Sequence, residues 1–363
     1  MSQTVRSELI NITVREEKLL TVAVIKSIAS FFPESVLTND MLIREGGWDW
    51  NPEDIFQKTG ISVRHIAKEG ECASDLGVAA ANRLFDNGCC LKEDIDYLIF
   101  CTQSPDYFLP TTACIIQQRL GLKTSCGALD INQGCSGFIY GLSLAKGLIE
   151  TKIASNILLI TAETYSKYIN PKDRSTRTIF GDGAAATLIG TADGTQESIG
   201  PFALGTDGKG AANLIVPAGG KRMPVSKATS VETEDEGGNI RSLNNLYMNG
   251  PEIFNFTLKT VPKATQELLE KTGRQLLEID YFIFHQANKF MLERLRDKMK
   301  IPESRFFNNL ESGNTVSSTI PVALETALKQ DLIQLGDEVM LVGFGVGYSW
   351  AACLVKISEK ILI

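Results

Sequence analysis

Along the chain, short runs of β-branched and apolar residues alternate with stretches whose apolar positions recur at helical spacing. The runs "TVAVIKSIAS", "IDYLIFCTQ", "GALDIN", "NILLITAET" and "AAATLIGT" precede residue 195, and "IDYFIFHQ" and "DEVMLVGFG" follow residue 275. Runs of this length bounded by polar turns read as buried strands, and their alternation with helical patterns predicts an α/β protein with mixed or parallel sheets. A helix is expected just beyond Cys135, with Phe138, Leu142, Ala145 and Ile149 on its buried face and Ser136 and Gly137 keeping its entry tight. Another should follow His285, carried by Phe290, Met291, Leu295 and Met299. Two segments echo each other: "EDIDYLIFCTQ" (93–103) and "LEIDYFIFHQA" (277–287) share an acidic lead-in, Asp-Tyr, an apolar strand and a polar end. The echo predicts duplicated halves, 19–195 and 196–363, behind an extension over residues 1–18. Residues 193–245 read as strands with long loops, "KATSVETEDEGGNIRS" being a solvated surface loop.

Composition narrows the class. At 363 residues, 44% hydrophobic and 22% charged, the chain can bury a substantial core as one large domain or two smaller ones. Its net charge of -7 argues against a general affinity for nucleic acid, so an acidic partner must find a local basic patch. The N-terminus has no apolar signal-like core, and no later stretch approaches the roughly 20 apolar residues of a membrane span. A cytoplasmic protein with no membrane insertion is expected. Eight cysteines without paired Cys-x-x-Cys spacing read as reduced thiols rather than zinc ligands.

One of those cysteines has a second reading. Cys135, in "DINQGCSGFIYGL", stands between a buried strand and a helix start, where the positive end of the helix dipole favours thiolate. It reads either as a packed strand-end thiol or as a nucleophile. The chain has only two histidines: His65 reads as structural, and His285 closes an apolar strand, where α/β proteins often place chemistry. Asn314 lies in a Gly-containing loop before a helix and taken alone is a turn residue. "GFGVGYSW" (343–350) places glycines at every second residue after a strand, which permits positive φ or close backbone approach, as an oxyanion-binding loop needs. "FGDGAAA" (180–186) reads as a tight turn supporting a site, without a metal ligand set around Asp182.

Cys135, His285 and Asn314, with "TGISVRHIA", "DRSTRTIFGDGAAA", "HQAN", "GNTVSSTIP" and "GFGVGYSW", resemble the β-ketoacyl-(acyl carrier protein) synthase III family of thiolase-fold condensing enzymes. The resemblance runs from about residue 20 to the C-terminus with the motifs in order. It implies a thiolase-like fold, two similar βαβαβαββ halves in a five-layer αβαβα sandwich, usually as a homodimer and without a cofactor. It implies that Cys135 takes an acyl group from a thioester, an exchange that keeps the acyl group activated. Malonyl-acyl carrier protein then loses carbon dioxide, and His285 Nε2–H with the Asn314 amide holds the enolate. The enolate attacks the acyl-cysteine to give a 3-oxoacyl-acyl carrier protein, the oxyanion being held by the backbone N–H groups of Cys135 and Val346. Val346 stands where the family often has glycine, so its donor survives only if its φ is negative. Asn288 would orient His285 or a nearby water.

The resemblance weakens at the donor end. Where the family commonly clamps the adenine of acyl-CoA between tryptophan and arginine, this chain has Asp54 and Lys58, while Arg174 matches another nucleotide-contacting arginine. Trp48 and Trp50, in "GGWDWNP", read either as surface or packing residues or as a source of stacking from a shifted loop. The donor is therefore left open between acyl-CoA and an acyl-carrier protein. "SPDYFLPTTA" matches the segment that closes the partner subunit's acyl pocket, with Leu109 and its neighbour Phe108 at the tip. Arg294, Arg296, Lys298 and Lys300 offer the basic patch for an acidic carrier protein, or simply a solvated helix face. Two rivals to condensation remain: a same-fold acyltransferase moving the acyl group to a hydroxyl or amine, and a non-catalytic partner subunit, against which the retention of all three polar residues speaks.

Overall fold

The computed structural model describes residues 20–194 and 196–363. The proposed extension over 1–18 and the boundary at residue 195 lie outside them. The apolar runs form two five-stranded sheets. The first contains β1 (Leu20–Phe31), β2 (Tyr97–Cys101), β3 (Gly127–Ile131), β4 (Asn156–Glu163) and β5 (Gly183–Gly194), in spatial order β3-β2-β4-β5-β1. The second contains β6 (Ile199–Thr206), β7 (Tyr281–Phe284), β8 (Phe306–Phe307), β9 (Glu338–Gly345) and β10 (Ser349–Lys356), in order β8-β7-β9-β10-β6. In both sheets the first two pairings are parallel and the last two antiparallel. The echoed segments give β2 and β7, which hold the same place in their sheets.

Nine α-helices are described: α1 (Asn39–Gly46), α2 (Pro52–Thr59), α3 (Ala73–Asp86), α4 (Thr112–Leu120), α5 (Gly137–Glu150), α6 (Arg174–Arg177), α7 (Gly250–Thr272), α8 (Lys289–Met299) and α9 (Thr319–Lys329). The layering follows from which helix faces are apolar. α5 and α9 are buried between the sheets, where Phe138, Leu142, Ile149, Ile320 and Leu324 join Ile157, Ile283 and Leu341 in one core. α3 and α4 cover the outer face of the first sheet through Leu76, Leu84 and Ile116, and α7 and α8 cover the second through Val261, Leu268 and Leu292. Helices outside, between and outside two sheets make the five-layer αβαβα sandwich of the thiolase fold. Among the described residues no helix is long and apolar enough to cross a membrane.

Candidate active site

Cys135 sits in the turn between β3 and α5, 4% exposed, immediately before the helix cap Ser136. The turn is fastened to the second half: Ser136 Oγ lies 2.7 Å from Ser349 Oγ, which lies 3.2 Å from Gln133 Oε1. The alternating glycines of β9 are explained by proximity. A Cβ on Gly343 would stand 2.6 Å from Ser136 Cα, and one on Gly345 2.8 Å from Cys135 Sγ, so the strand passes the turn with no room for side chains. Among the described residues the non-glycine positive-φ positions are Lys152, Lys300, Val316 and Asp331. Val346 is not one of them, and its backbone N–H, like that of Cys135 itself, favours the thiolate form of Cys135.

The expectation that the helix start lowers the Cys135 pKa is not met. Burial pushes the thiol up to about 12, with the Glu163 carboxylate adding to the rise, and the two N–H groups do not offset this. Glu163 ends β4 and went unnoticed in the sequence. It accepts from Gln103 N–H (3.0 Å), Ser104 Oγ (2.8 Å) and Ser317 Oγ (2.8 Å), yet complete burial raises its own pKa to about 8.

His285 directly follows β7, with its N–H donating to the Val342 carbonyl at 2.8 Å and its ring edge-on to Phe344. Burial holds its pKa down to about 3, so the imidazole is neutral at physiological pH. Its Nδ1 lies 2.7 Å from Thr319 Oγ1, the first residue of α9. Of the two roles foreseen for Asn288, contact with His285 is not the one seen: its side chain caps α8 by accepting from Met291 N–H at 3.0 Å, and the ring nitrogen of His285 meets Thr319.

Asn314 is tied across the halves. Its N–H donates to Ile179 O (2.9 Å) and its carbonyl accepts from Gly181 N–H (3.1 Å), so the "FGDGAAA" turn supports it directly. Asp182 in that turn accepts from Ala67 N–H and Ser166 N–H, which braces the loop. Among the described residues no cluster of His, Cys, Asp and Glu is built to hold a metal. The Asn314 Oδ1 accepts from Val316 N–H at 2.9 Å, which aims the amide NH2 away; one of its protons meets Ala287 O at 3.4 Å. Val316 adopts φ +55, a left-handed conformation that costs a β-branched residue about 1–3 kcal/mol.

Cys135, His285 and Asn314 line one cavity of about 1200 Å³, whose walls include Phe180, Leu214, Met248, Ile253, Phe254 and Met291. Asp54 and Lys58 on α2 and Arg174 on α6 line it as well, with Asn288 and Phe290. One reading narrows here and another changes. Trp48 packs on Leu37 and Leu42, but Trp50 is 42% exposed, lines the cavity and lies under the Arg174 guanidinium at 5.8 Å. The stretch taken as a solvated loop contributes Gly237 and Asn239 to the wall, and its Arg241 pairs with buried Asp173.

The four basic residues do not form one patch. At about 100° per residue, Arg294 and Lys298 share one face of α8 while Arg296 points to another, and Lys300 caps the helix end with φ +56. Arg296 pairs with Asp297 and Glu303, and Lys298 donates to the Leu258 carbonyl. Arg294 remains beside the cavity, 5.3 Å over the ring of Phe290. Phe108 and Leu109 are 84% and 83% exposed and lie outside this cavity in the single chain.

The family described as 3-oxoacyl-[acyl-carrier-protein (ACP)] synthase III matches residues 129–208, and its C-terminal counterpart matches residues 269–357. The β-ketoacyl-[acyl-carrier-protein] synthase III of Caldanaerobacter subterraneus subsp. tengcongensis is 40% identical over 91% of this chain and 96% of its own. A crystal structure of a 3-oxoacyl-(acyl-carrier-protein) synthase III superposes with a TM-score of 0.91 at 54% identity, over 92% of this chain and 99% of that one. The 3-oxoacyl-(acyl-carrier protein) synthase of Burkholderia xenovorans LB400 gives a TM-score of 0.84 at 38% identity, covering 95% and 98%.

Proposed function

This chain belongs to the 3-oxoacyl-[acyl-carrier-protein] synthase III family of condensing enzymes, and from that premise we propose how its own residues divide the work. The reaction is a decarboxylating Claisen condensation that joins an acyl group to malonyl-acyl carrier protein, giving a 3-oxoacyl-acyl carrier protein and carbon dioxide. As the sulfur of Cys135 forms its bond to the acyl carbon the S–H bond breaks, and the proton passes to the departing thiolate as the old C–S bond breaks. The thioester carbonyl oxygen sits against the N–H groups of Cys135 and Val346, which stabilise the tetrahedral oxyanion. Because burial pushes the free thiol up to about 12, its proton is lost during attack on the donor and not before it.

With Cys135 acylated, the malonyl thioester enters the same cavity. Its C–CO2 bond breaks, and the electron pair moves into an enolate whose oxygen accepts from His285 Nε2–H and the Asn314 amide. A neutral imidazole suits this, since it donates without placing a second charge in an apolar cavity. The enolate carbon then attacks the acyl carbonyl, and the C–S bond breaks to return Cys135. Transfer to a hydroxyl would instead ask His285 to hold a full proton, which its lowered pKa opposes.

The convergence of Cys135, His285 and Asn314 on one cavity carries this reading. Trp50 and Arg174 form the acyl-CoA end of that cavity, with Trp50 replacing the aromatic residue missing at Asp54. Lys58 offers its ammonium to phosphate, and Arg294 meets the acidic carrier protein. The exposed Phe108 and Leu109 close the acyl pocket of a second copy in a homodimer. Intact-mass analysis of the protein with acyl-CoA and acyl-carrier-protein donors tests the assignment: an adduct on the native chain and none on Cys135→Ala supports it, and an adduct on both removes Cys135 from the role.

A further inference from the structure

Thr319 connects the two halves of the enolate clamp. Its hydroxyl lies 2.7 Å from His285 Nδ1 and 3.1 Å from the carbonyl oxygen of Val316, the residue whose N–H orients Asn314. A hydroxyl has one proton and these are two acceptors. When it donates to Val316, Nδ1 must carry the ring proton and Nε2 is left with a lone pair. When it donates to Nδ1, the neutral ring carries its proton on Nε2. Turning from one to the other does not orphan the Val316 carbonyl, which also accepts the N–H of Thr319.

We propose that Thr319 is a positioning residue, a hydroxyl rotor whose direction decides whether His285 presents Nε2 as a lone pair or as an N–H donor. In the free protein the hydroxyl donates to the Val316 carbonyl and accepts from Nδ1–H. A thioester carbonyl arriving at Nε2 needs a donor and selects the other arrangement, so the clamp forms with its substrate. The inference rests on His285 being an enolate donor.

The chain has two histidines, and the second supplies a reference. His65 Nδ1 lies 2.6 Å from the Pro33 carbonyl, which only accepts, so His65 holds the Nδ1–H tautomer. Nitrogen-15 spectra of histidine-labelled protein are recorded free and after titration to saturation with malonyl-pantetheine in which an amide replaces the thioester. His285 is expected to match His65 when free and to invert to Nε2–H with the analogue. Nε2–H in both states, or no inversion at saturation, overturns the rotor. Thr319→Val should abolish the inversion and slow malonyl decarboxylation about 10- to 100-fold, with acylation of Cys135 unchanged, and Thr319→Ser should restore both. Wild-type decarboxylation in Thr319→Val, or failure of Thr319→Ser to restore it, overturns the role. The spectra of the unmodified chain need no substitution, so a variant that fails to fold leaves the test standing. Undiminished decarboxylation in His285→Ala would instead overturn the role of His285 itself, a result separable from the tautomer spectra.

Discussion

Gly345 passes so close to Cys135 that a Cβ on it would stand 2.8 Å from the sulfur and 2.9 Å from the Cys135 Cβ. Gly345→Ala must therefore push strand and turn apart or tilt the thiol away from the Val346 N–H. We expect it to cost about 1–3 kcal/mol of stability, read by urea unfolding, and to depress Cys135 acylation at temperatures where the variant remains folded. Normal acylation would show that the turn yields without consequence.

Because burial outweighs the helix start at Cys135, alkylation by iodoacetamide should rise about tenfold per pH unit from pH 7 to pH 10 without a plateau. A plateau near neutrality would mean that the dipole governs the free thiol after all.

His285→Ala and Asn314→Ala remove the two proposed enolate donors and leave the sulfur in place. Each is expected to lower malonyl decarboxylation about 100- to 1000-fold while acyl-enzyme formation, followed by mass, stays near native. Loss of acylation in either would assign that residue to the first half-reaction.

Stability should fall on the alkaline side. Glu163 titrates near 8 in the fold against 4.5 when free, so the native state binds the extra proton and loses stability as pH rises through that window. His285, near 3 against 6.5, acts in the opposite sense, adding stability as pH rises from 3 to 6.5. Of these two groups only Glu163 contributes between pH 6.5 and 8, by about 2 kcal/mol, and from pH 7 Cys89, lowered to about 7, acts against it. Denaturant titrations should show the Glu163 loss as the difference between the native chain and Glu163→Gln.

Trp50→Ala should raise the KM for acyl-CoA about tenfold and leave that for acyl-pantetheine, which has no purine, unchanged. Equal effects on both donors would place Trp50 in packing alone.

The fold was largely legible because each long buried strand appears as a continuous apolar run, and the repeated Asp-Tyr lead-in marks β2 and β7. Cys135, His285 and Asn314 stood out as candidates through the ordered motifs that resemble the family, while their local context alone left each of them a structural reading as well. What stayed hidden depends on contacts between distant segments. Thr319 is 34 residues from His285, and Ser317 is 154 from Glu163, so nothing in their local sequence distinguishes them from helix-start hydroxyls. Glu163 did leave a trace, a carboxylate closing the otherwise apolar "NILLITAE". The two readings of Trp50 could not be separated by sequence because exposure suits a surface residue and a cavity lip equally well. The basic residues were misjudged because alternate positions on a helix do not share a face.

The matching places of β2 and β7 carry a further meaning. In the repeated segment Cys101 stands at the offset of His285. Its sulfur is sealed under the nucleophile turn, 3.3 Å from the Gln133 carbonyl and so near Gly137 that a Cβ there would stand 2.3 Å away. The spot where a mirror-image imidazole would stand is thus plugged by the loop that carries Cys135. One copy of the repeated position is filled by a buried thiol beneath the Cys135 turn, while the other copy places an imidazole against the cavity.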